Sequence, residues 1–511
     1  MTLDDILRRN ALRFPRQAAV LADGCSRSWA ELDARVDRLA HGLLASGLGT
    51  GDRIAILAGN CPEYLEIYFA CARAGLIVVP LNYRLTTAEA RQILAHADPQ
   101  ALLVAAAYEA RGRELRALLP GIGHMWVLGG RDDAAAADYE ALIARASPAT
   151  RTSPAAERDC FAIFYTSGTT GLPKGAMVSH LNLEANGYNQ LLADRSVPAD
   201  INLIATPLYH MGAVFMSVTY MMLGCTQVVL PQFTAPGWLA ALARHRATVS
   251  LLIPTMINTL LNDPHLDGAD LGSLRLIFYG GGPMPPAVLD RALRRLRCGF
   301  TQGYGLTETL EATFLVAADH VLDGDETQRR RLTSAGREAV GAEVRIADDA
   351  GRDLATGEVG EILVRSRSVI SGYWRQPELT QEVMRGDWFC TGDLGYLDED
   401  RYLFVVDRKK DMVVTGGVNV YTKEVEAVLY QHPAVREAAV FGIPDEQWGE
   451  RVTAAVSWRD GAAATAADLA VFCREQLAGF KCPKHYLMLP ELPKNPSGKI
   501  LKRELRDLAR A

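Results

Sequence analysis

Short apolar runs alternate with longer amphipathic segments along the first half of the chain. Runs bounded by glycine or proline predict buried strands, and apolar positions three and four residues apart predict helices. The predicted strands are Ala18–Leu21, Ser26–Trp29, Ile54–Leu57, Ile77–Pro80, Ala101–Ala105 and Cys160–Phe164. The predicted helices are one after Asp5, one that opens at Ser28 or Trp29, Pro62–Ala74, Thr87–Ala95 and one that begins near Ser179. Because strands alternate with helices, we expect an α/β fold with parallel sheets.

The second half of the chain begins with the same alternation and then changes character. Val249–Ile253 and Leu274–Tyr279 predict further buried strands, whereas β-branched runs and turns in residues 335–405 predict a β-rich subdomain. After Met412 the pattern predicts a small α+β domain. Its predicted elements are the strand Val413–Thr415, the helix Tyr421–Tyr430, the strands Val435–Ile443 and Val452–Val456, and the helix Ala466–Gln476. Gly112–Ala149, which contains a run of alanines, is predicted to be a peripheral connection.

Composition narrows the class of protein. The chain has 511 residues, which is too long for a single core. Its net charge of −6 and its pI near 6.0 give no reason to expect a nucleic-acid partner. Nine scattered cysteines without a Cys-x-x-Cys pair favour reduced thiols and a cytoplasmic location. No signal peptide is expected at the charged N-terminus, and the apolar stretch around Met211–Leu223 is too short to span a membrane.

The segment Tyr165–Gly175 carries the strongest chemical signal. It reads Tyr-Thr-Ser-Gly-Thr-Thr-Gly-Leu-Pro-Lys-Gly and follows a predicted strand. Small residues let a backbone approach a polyphosphate, while N–H groups, hydroxyls and a lysine supply hydrogen bonds and positive charge. The spacing is not that of a Walker A loop, because no Gly-Lys-Ser/Thr ending follows. We expect a phosphate-binding loop.

Other motifs follow this loop in order. They are Gly280–Met284, Phe300–Glu308, Phe389–Asp393, Asp407–Asp411 and Leu492–Lys499. Together with the phosphate loop they resemble the signature of the adenylate-forming superfamily, which includes acyl-CoA synthetases, aryl-CoA ligases, beetle luciferases and peptide-synthetase adenylation domains. The resemblance extends from about Asp5 to Arg506. It implies a large N-terminal domain, residues 1–408, with a β-rich part from about 335, and a small mobile domain, residues 409–511, hinged at Lys410.

The resemblance also implies the residues that bind ATP and Mg²⁺. In the phosphate loop and in the motifs Gly280–Met284 and Phe300–Glu308, these are Thr166, Ser167, Gly168, Thr169, Thr170, Gly171, Lys174, Gly281, Gly282, Pro283, Gln302, Gly303, Tyr304, Gly305 and Thr307. Tyr304 would stack on adenine, Asp393 would accept hydrogen bonds from the ribose, and Arg408 would lie near the ribose and phosphates. Glu308 would bind the metal through a hard oxygen. Lys499 would bridge the attacking carboxylate and the α-phosphate. The predicted catalytic residues are Lys499, Thr166, Glu308 and His210.

A second half-reaction would transfer the acyl group to the thiol of coenzyme A. Gly416 and Gly417 could line a narrow path for its pantetheine arm. Trp448, Phe480 and Lys484 resemble positions that bind the CoA nucleotide in aryl-CoA ligases. The chain departs from the pattern at Cys482, where some relatives carry an arginine directed towards a CoA phosphate.

The acid itself is only partly constrained. His210 would border the acyl pocket, and Met211, Val214 and Phe215 would either line that pocket or belong to a core helix. Tyr209–Gly212 contains no aspartate for an α-ammonium group, which disfavours amino acids. Fatty, aryl and alicyclic acids stay open, and Glu311 is an unexplained charge near the expected pocket.

The predicted function is therefore that of an ATP-dependent carboxylic acid–CoA ligase. The chain has no long insertion after residue 330 of the kind that fatty acyl-AMP ligases carry, which favours CoA as acceptor. Three alternatives remain: a ligase that loads an acyl carrier protein, a non-catalytic nucleotide-binding protein, and a luciferase-type oxygenase. Glu308, Asp393 and Lys499 are all present, which disfavours the second. A homodimer is a further expectation.

Overall fold

The structure is a computed structural model, and it divides into two compact units. It describes residues 1–129, 138–150, 152–166, 173–282, 284–494 and 500–510. The N-terminal unit comprises Met1–Val344 and Val364–Phe389, and the C-terminal unit comprises Arg345–Leu363 and Cys390–Ala511. The predicted division at residues 408–410, with Lys410 as its hinge, stays a prediction.

Helices and strands alternate through the N-terminal half and strands dominate after it. The α-helices are α1 Leu3–Arg13, α2 Trp29–Ala45, α3 Pro62–Ala74, α4 Thr87–Ala97, α5 Glu109–Leu118, α6 Tyr139–Arg145, α7 His180–Ala193, α8 Met211–Met222, α9 Ala235–His245, α10 Pro254–Leu261, α11 Pro286–Leu296, α12 Glu326–Arg331, α13 Pro377–Val383, α14 Thr422–Leu429, α15 Ala466–Arg474 and α16 Lys502–Arg510. No helix in the described ranges combines the length and the apolar character that crossing a bilayer requires.

The strands are numbered in the same way. They are β1 Ala18–Ala22, β2 Cys25–Ser28, β3 Arg53–Leu57, β4 Ile77–Pro80, β5 Ala101–Ala105, β6 His124–Leu128, β7 Cys160–Thr166, β8 Lys174–Ser179, β9 Ile201–Ile204, β10 Thr226–Val229, β11 Val249–Leu252, β12 Leu276–Tyr279, β13 Gly299–Leu306, β14 Leu310–Leu315, β15 Arg337–Glu338, β16 Ala342–Ala347, β17 Gly360–Ser366, β18 Met384–Arg385, β19 Trp388–Leu397, β20 Leu403–Arg408, β21 Val413–Thr415, β22 Val418–Val420, β23 Val435–Asp445, β24 Gly449–Trp458 and β25 His485–Met488.

Two large sheets form the frame of the N-terminal unit. The first has nine strands in the order β15-β14-β13-β12-β11-β9-β10-β1-β2, and its six central strands pair in parallel. The second has six strands in the order β6-β5-β3-β4-β7-β8, and all are parallel except the terminal β8. The predicted α/β class with parallel sheets is confirmed.

The later strands form two smaller sheets. One has the order β16-β17-β19-β18, with β20 paired to β19, and this confirms the predicted β-rich part. The other has the order β22-β21-β24-β23, with β25 on β24. Its long antiparallel pair β23–β24 packs with α14 and α15 around a core of its own.

Local sequence signals explain why several predicted boundaries agree with the structure. α3 begins at Pro62, whose fixed φ suits a first helical turn, and it ends at Gly75, which has a φ of 72°. The hydroxyl of Ser28 accepts the backbone N–H of Glu31 and so caps α2. These signals depend on neighbouring residues alone, and sequence reasoning therefore finds them.

The prediction of a peripheral connection at Gly112–Ala149 is wrong. The described part of this segment contains β6, an edge strand of the six-stranded sheet, and α6, which packs on α2. Tyr139 is fully buried, and its hydroxyl donates to a carboxylate oxygen of the buried Glu66 at 2.8 Å. The described part of this segment therefore belongs to the sheet and to its helical layer, whereas the alanine run at residues 134–137 lies outside the described residues.

Other differences concern elements that were not predicted. Residues 300–306, which were not predicted to form a strand, belong to β13. β8 directly follows the phosphate loop, although its residues were not expected to form a strand. In the C-terminal unit, β22, β25 and α16 were also missed.

A buried arginine joins the first three helices. The guanidinium of Arg73 on α3 lies 2.6 Å from Asp4, 2.5 Å from Asp33 and 2.9 Å from Asp37, and its side chain is inaccessible to solvent. Asp4 belongs to α1, whereas Asp33 and Asp37 belong to α2. A buried cation so placed attracts all three carboxylates and offsets part of their mutual repulsion, which Arg8 also reduces by pairing with Asp4 and Asp37.

We predict that Arg73→Met lowers the free energy of unfolding by about 3–5 kcal/mol, because the three carboxylates lose their shared cation. Urea denaturation followed by circular dichroism would measure the change. The control is Arg113→Met, which removes an exposed pair with Glu109 and should cost at most about 0.5 kcal/mol. Equal stability of the two variants would contradict the proposed role of Arg73.

Candidate active site

The two ends of the phosphate loop lie side by side in the N-terminal unit. Thr166 ends β7 and Lys174 begins β8, and the two residues pair across the antiparallel ladder. The predicted ligands Ser167, Gly168, Thr169, Thr170 and Gly171 lie outside the described residues. The loop therefore begins and ends on one strand pair, at the carboxyl end of β7, where α/β sheets place their ligands.

One tyrosine connects this loop with the predicted metal ligand. The hydroxyl of Tyr373 donates to Oε1 of Glu308 at 2.8 Å, while Nζ of Lys174 lies 5.5 Å from the centre of its ring. Burial and the neighbouring Glu308 carboxylate both raise the pKa of Tyr373, so its hydroxyl keeps its proton and remains a donor. Sequence reasoning missed Tyr373, although a Tyr-Trp pair after Gly372 was an available signal.

Tyr373 is held in place by backbone contacts with β8. The N–H of Met177 donates to the carbonyl of Gly372 at 3.0 Å, and the N–H of Trp374 donates to the carbonyl of Gly175 at 2.8 Å. Gly372–Trp374 therefore runs alongside the strand that begins at Lys174. This pairing explains how a residue about two hundred positions along the chain reaches the phosphate loop.

The glycine turn Gly280–Met284, which the family resemblance implies as the seat of the adenine ring, lies beside the aromatic motif Phe300–Glu308. β12 and β13 are parallel neighbours, and Tyr279 pairs with Gln302. A Cβ atom at Gly280 would come within 2.8 Å of the carbonyl oxygen of Gly303, so the two backbones touch where both motifs carry glycine. Gly281 and Gly282 are exposed, and Pro283 lies outside the described residues.

The aromatic motif continues into a hairpin that presents the acidic residue. Tyr304 and Gly305 lie on β13 at a bulge, opposite Thr313 and Glu311 of β14. Thr307 and Glu308 form the turn between these two strands. The carbonyl of Glu308 also accepts the N–H of Ile370 at 2.9 Å, so both its backbone and its side chain are tied to the segment that contains Tyr373.

His210 precedes α8 in the N-terminal unit. The residue is exposed to solvent, although neighbouring protein atoms partly desolvate its imidazole. Burial, together with the positive charge of Arg84, lowers its pKa to about 4, so the ring is neutral near pH 7. Its ring centre lies 4.4 Å from that of Tyr209. A neutral imidazole so placed can contact a substrate without adding charge.

The three predicted acyl-side residues all belong to α8. Met211, Val214 and Phe215 are buried in the main core of the N-terminal unit. Phe215 packs edge-on against Phe278 of β12, with 6.0 Å between the ring centres. Both interpretations from the sequence, a pocket wall and a core helix, require this burial, so the choice between them stays open.

Within the C-terminal unit, the predicted ribose and phosphate residues are neighbours. Asp393 on β19 pairs with Arg408 on β20, and Nε of Arg408 lies 3.2 Å from Oδ1 of Asp393. Asp393 is buried, whereas Arg408 is half-buried. Arg408 therefore restrains the carboxylate of Asp393 while keeping partial access to solvent.

The predicted hinge follows directly after β20. Lys410 lies in a turn in which the N–H groups of Asp411 and Met412 both donate to the carbonyl of Arg408. The adjacent Lys409 forms ion pairs with Asp349 at 2.7 Å and with Glu361 at 3.0 Å. The role of Lys410 as a hinge stays a prediction.

Two of the residues predicted to bind CoA contact each other in the C-terminal unit. The N–H of Gly416 donates to the carbonyl of Trp448 at 2.8 Å, and a Cβ atom at Gly416 would meet the indole ring at 3.0 Å. Gly416 and Gly417 have φ values of 58° and 77°, which L-residues rarely adopt. Trp448 is 51% exposed, so this glycine turn lies beside an accessible aromatic surface.

The remaining residues predicted to bind CoA share one short segment. Phe480 and Lys484 are exposed, and Nζ of Lys484 donates to the carbonyl of Gly479 at 2.9 Å. Cys482 is buried in the core of this unit, where burial raises the pKa of its thiol. The position that departs from the family pattern therefore points inwards, and Lys481 and Lys484 carry the positive charge of this segment. Lys499 lies outside the described residues.

Comparisons with known proteins agree with these motifs. A family model described as AMP-binding enzyme matches residues 7–374, and one described as AMP-binding enzyme C-terminal domain matches residues 424–499. The chain belongs to the AMP-binding enzyme family. This confirms the predicted membership of the adenylate-forming superfamily, in the family of acyl-CoA synthetases.

Three relatives show how far the similarity of this AMP-binding enzyme extends. A feruloyl-CoA synthase from Amycolatopsis sp is 39% identical over 98% of this chain and 97% of its own length. The fatty acid–[acyl-carrier-protein] ligase ScoC of Streptomyces coeruleorubidus is 36% identical over 98% of this chain and 94% of its own. The crystal structure of ATP-bound MatB from Rhodopseudomonas palustris matches with 33% sequence identity and a TM-score of 0.89. The match covers 100% of this chain and 99% of MatB.

For this AMP-binding enzyme we predict that Tyr373→Phe raises the Mg²⁺ concentration for half-maximal pyrophosphate release about tenfold or more. The variant loses a hydrogen bond to a carboxylate, which is worth about 1.5–3 kcal/mol. Tyr430→Phe is the control, because its hydroxyl donates to the carbonyl of Ala438 in the C-terminal unit. Unchanged Mg²⁺ dependence in Tyr373→Phe would show that the tyrosine does not orient Glu308.

Proposed function

We propose that this enzyme activates a carboxylic acid with ATP and transfers the acyl group to the thiol of coenzyme A. In the first step a carboxylate oxygen attacks the α-phosphorus of ATP, the bond to the bridging oxygen breaks, and pyrophosphate leaves. In the second step the thiol loses its proton, its sulfur attacks the acyl carbon, and AMP leaves. The observation that carries this proposal is the link from Lys174 through Tyr373 to Glu308.

That link suits a polyphosphate substrate for electrostatic reasons. Lys174 offers positive charge at the end of the phosphate loop, and Glu308 offers an oxygen ligand held by a protonated hydroxyl. Mg²⁺ commonly binds through one or two carboxylates and completes its shell with phosphates and water. Glu308 would supply one such carboxylate; in the described ranges there is no cluster of three or more histidine, cysteine, aspartate or glutamate side chains that could hold a metal. A bound Mg²⁺ would neutralise phosphate charge.

The roles of the other predicted nucleotide residues rest on their positions in the motifs. The exposed glycines Gly281 and Gly282 beside Tyr304 would accept the adenine ring, and Asp393 would bind the ribose. Arg408 already contacts Asp393 and would direct its carboxylate. Catalysis would then depend on positioning and on charge neutralisation, as in other phosphoryl transfers.

Lys499 is proposed as the cation that lets the two anions react. A carboxylate and a phosphate about 4 Å apart repel by on the order of 4 kcal/mol at an effective dielectric constant of 20. A lysine between them can offset much of this repulsion. His210, neutral near pH 7, would border the acyl group without attracting the carboxylate away from this lysine.

CoA is the proposed acceptor because the C-terminal unit exposes groups that suit it. The turn at Gly416 and Gly417 lies against Trp448, and Phe480 offers a second exposed ring. Lys484 could pair with a phosphate, and Lys481, beside Phe480, forms an ion pair with Glu424. Cys482 is buried and takes no part in this surface.

A carrier-protein thiol is the second candidate acceptor. The similarity to ScoC, named as a fatty acid–[acyl-carrier-protein] ligase, supports it. Every adenylation residue would keep its role in that case, since only the acceptor differs. A homodimer, a cytoplasmic location and a hinge at Lys410 stay predictions from the sequence.

A panel of fatty, aryl and alicyclic acids tests the proposal. Each acid is incubated with ATP and Mg²⁺, and pyrophosphate release is measured without acceptor, with CoA, and with a holo-carrier protein. We expect acid-dependent pyrophosphate release and AMP-coupled acyl-CoA formation. Transfer to the carrier protein but not to CoA would favour the second candidate, and no acid-dependent release would refute both.

We predict that Lys499→Ala lowers the rate of acyl-adenylate formation about 10²–10³-fold, because the repulsion between carboxylate and phosphate is no longer offset. Transfer from preformed acyl-adenylate to CoA should change much less. Arg503→Ala removes an exposed cation from α16 and serves as the control. Normal adenylation by Lys499→Ala would contradict the assignment.

A further inference from the structure

Glu311 is an acidic side chain that the proposed reaction does not use. It lies on β14 opposite Gly305, one strand away from the aromatic motif. A Cβ atom at Gly303 would come within 2.5 Å of its Oε2 atom and 2.7 Å of its Cδ atom. The carboxyl group therefore packs directly against the strand that carries Tyr304, where Gly303 leaves room for it.

The carboxyl group is buried without a complete set of hydrogen bonds. Across the described ranges, Oε2 of Glu311 has no hydrogen-bond partner, although the residue as a whole keeps partial access to solvent. Burial, with a smaller effect of the nearby Asp194, raises the pKa of Glu311 to about 8. A carboxyl group that is mostly protonated near pH 7 avoids the cost of a buried charge but still offers an acceptor oxygen.

Asn186 places an unused donor next to this acceptor. Its Oδ1 atom accepts the backbone N–H of Glu311 at 3.0 Å, so the two residues are in direct contact. Its Nδ2 group is buried and, within the described residues, has no acceptor. Buried polar groups are normally paired, because an unpaired one loses its hydrogen bonds to water without replacement. One unpaired acceptor and one unpaired donor thus lie on neighbouring side chains.

The surroundings of this pair are aromatic. Phe278 lies against Gly303 on the same side as Glu311. Its ring packs edge-on against Phe215, at 6.0 Å between centres, and against Phe314, at 6.4 Å. Phe215 belongs to the helix that follows His210, for which both a pocket wall and a core position were predicted as alternatives. Edge-on aromatic packing of this kind suits a further aromatic ring.

We propose that Glu311 and Asn186 form a specificity subsite that binds a hydroxyl group on the ring of an aryl acid substrate. A hydroxyl both donates and accepts, so it can donate to Oε2 of Glu311 and accept from Nδ2 of Asn186 at once. A hydrocarbon chain would satisfy neither group, and an ammonium, which has no acceptor, would leave Nδ2 of Asn186 unpaired. This inference rests on the proposed function and deepens it by naming hydroxyaryl acids as the substrate class.

The enzyme should show a measurable preference for hydroxylated acids. A site built to hydrogen-bond a substrate hydroxyl discriminates against the analogue that lacks it, because its buried polar groups are then left unpaired. We therefore expect at least a tenfold higher kcat/KM for the hydroxylated member of a matched pair of acids.

The test compares 4-hydroxycinnamic with cinnamic acid and 4-hydroxybenzoic with benzoic acid, by pyrophosphate release with ATP and Mg²⁺. In Glu311→Leu, we expect kcat/KM for the hydroxylated acid that wild type prefers to fall about 10–100-fold, with about threefold change or less for its partner. Asn186→Asp keeps an acceptor for the N–H of Glu311 but removes the donor, and it should lower the same ratio. Glu311→Gln, which keeps a carbonyl oxygen, should retain more of the preference than Glu311→Leu.

Glu343→Leu is the control, because Glu343 lies exposed in an ion pair with Arg365 and should leave the ratio unchanged. A ratio measured within one variant does not depend on how much of that variant is folded. An unchanged ratio in Glu311→Leu, or a wild type without preference for either hydroxylated acid, would overturn the inference and leave the proposed function intact. A wild type that releases no pyrophosphate with any acid of the wider panel would overturn the proposed function and the inference with it.

Discussion

Parallel strands cannot be joined by tight turns, and this constraint organises the N-terminal unit. Each parallel pair in the two large sheets needs a connection that returns to the other end of the sheet, and helices such as α3 supply these connections. The segments that follow the strands are consequently gathered at their carboxyl ends. The residues after β7 and β12 carry two of the predicted nucleotide motifs, and the strand β13 carries a third.

Sequence reasoning recovered what depends on neighbouring residues. Strands such as Ile77–Pro80 and helices such as Pro62–Ala74 agree with the structure residue by residue, because proline, glycine and capping residues mark their ends. It failed where distant contacts decide the outcome. β6 pairs with the edge of β5, and Tyr139 is buried where its hydroxyl joins Arg35 in contacting Glu66. Composition alone contains neither fact.

The candidate site shows the same division. Its motifs could be found because glycines, hydroxyls and charges lie close together along the chain, and Lys174 and Glu308 were both identified in this way. Tyr373 could not, since its relevance comes from pairing with β8 and from one hydrogen bond across the fold. Glu311 was noticed as a charge, but its burial beside Gly303 and Asn186 emerges only in three dimensions.

The inward orientation of Cys482 has a chemical consequence for an enzyme that makes acyl-adenylates. Such a mixed anhydride reacts with any accessible thiolate, and an exposed cysteine between Phe480 and Lys484 would compete with the thiol of the acceptor. Because Cys482 is buried and burial raises the pKa of its thiol, it contributes almost no thiolate. Burial of Cys482 thus removes one thiol that could compete at the proposed acceptor surface.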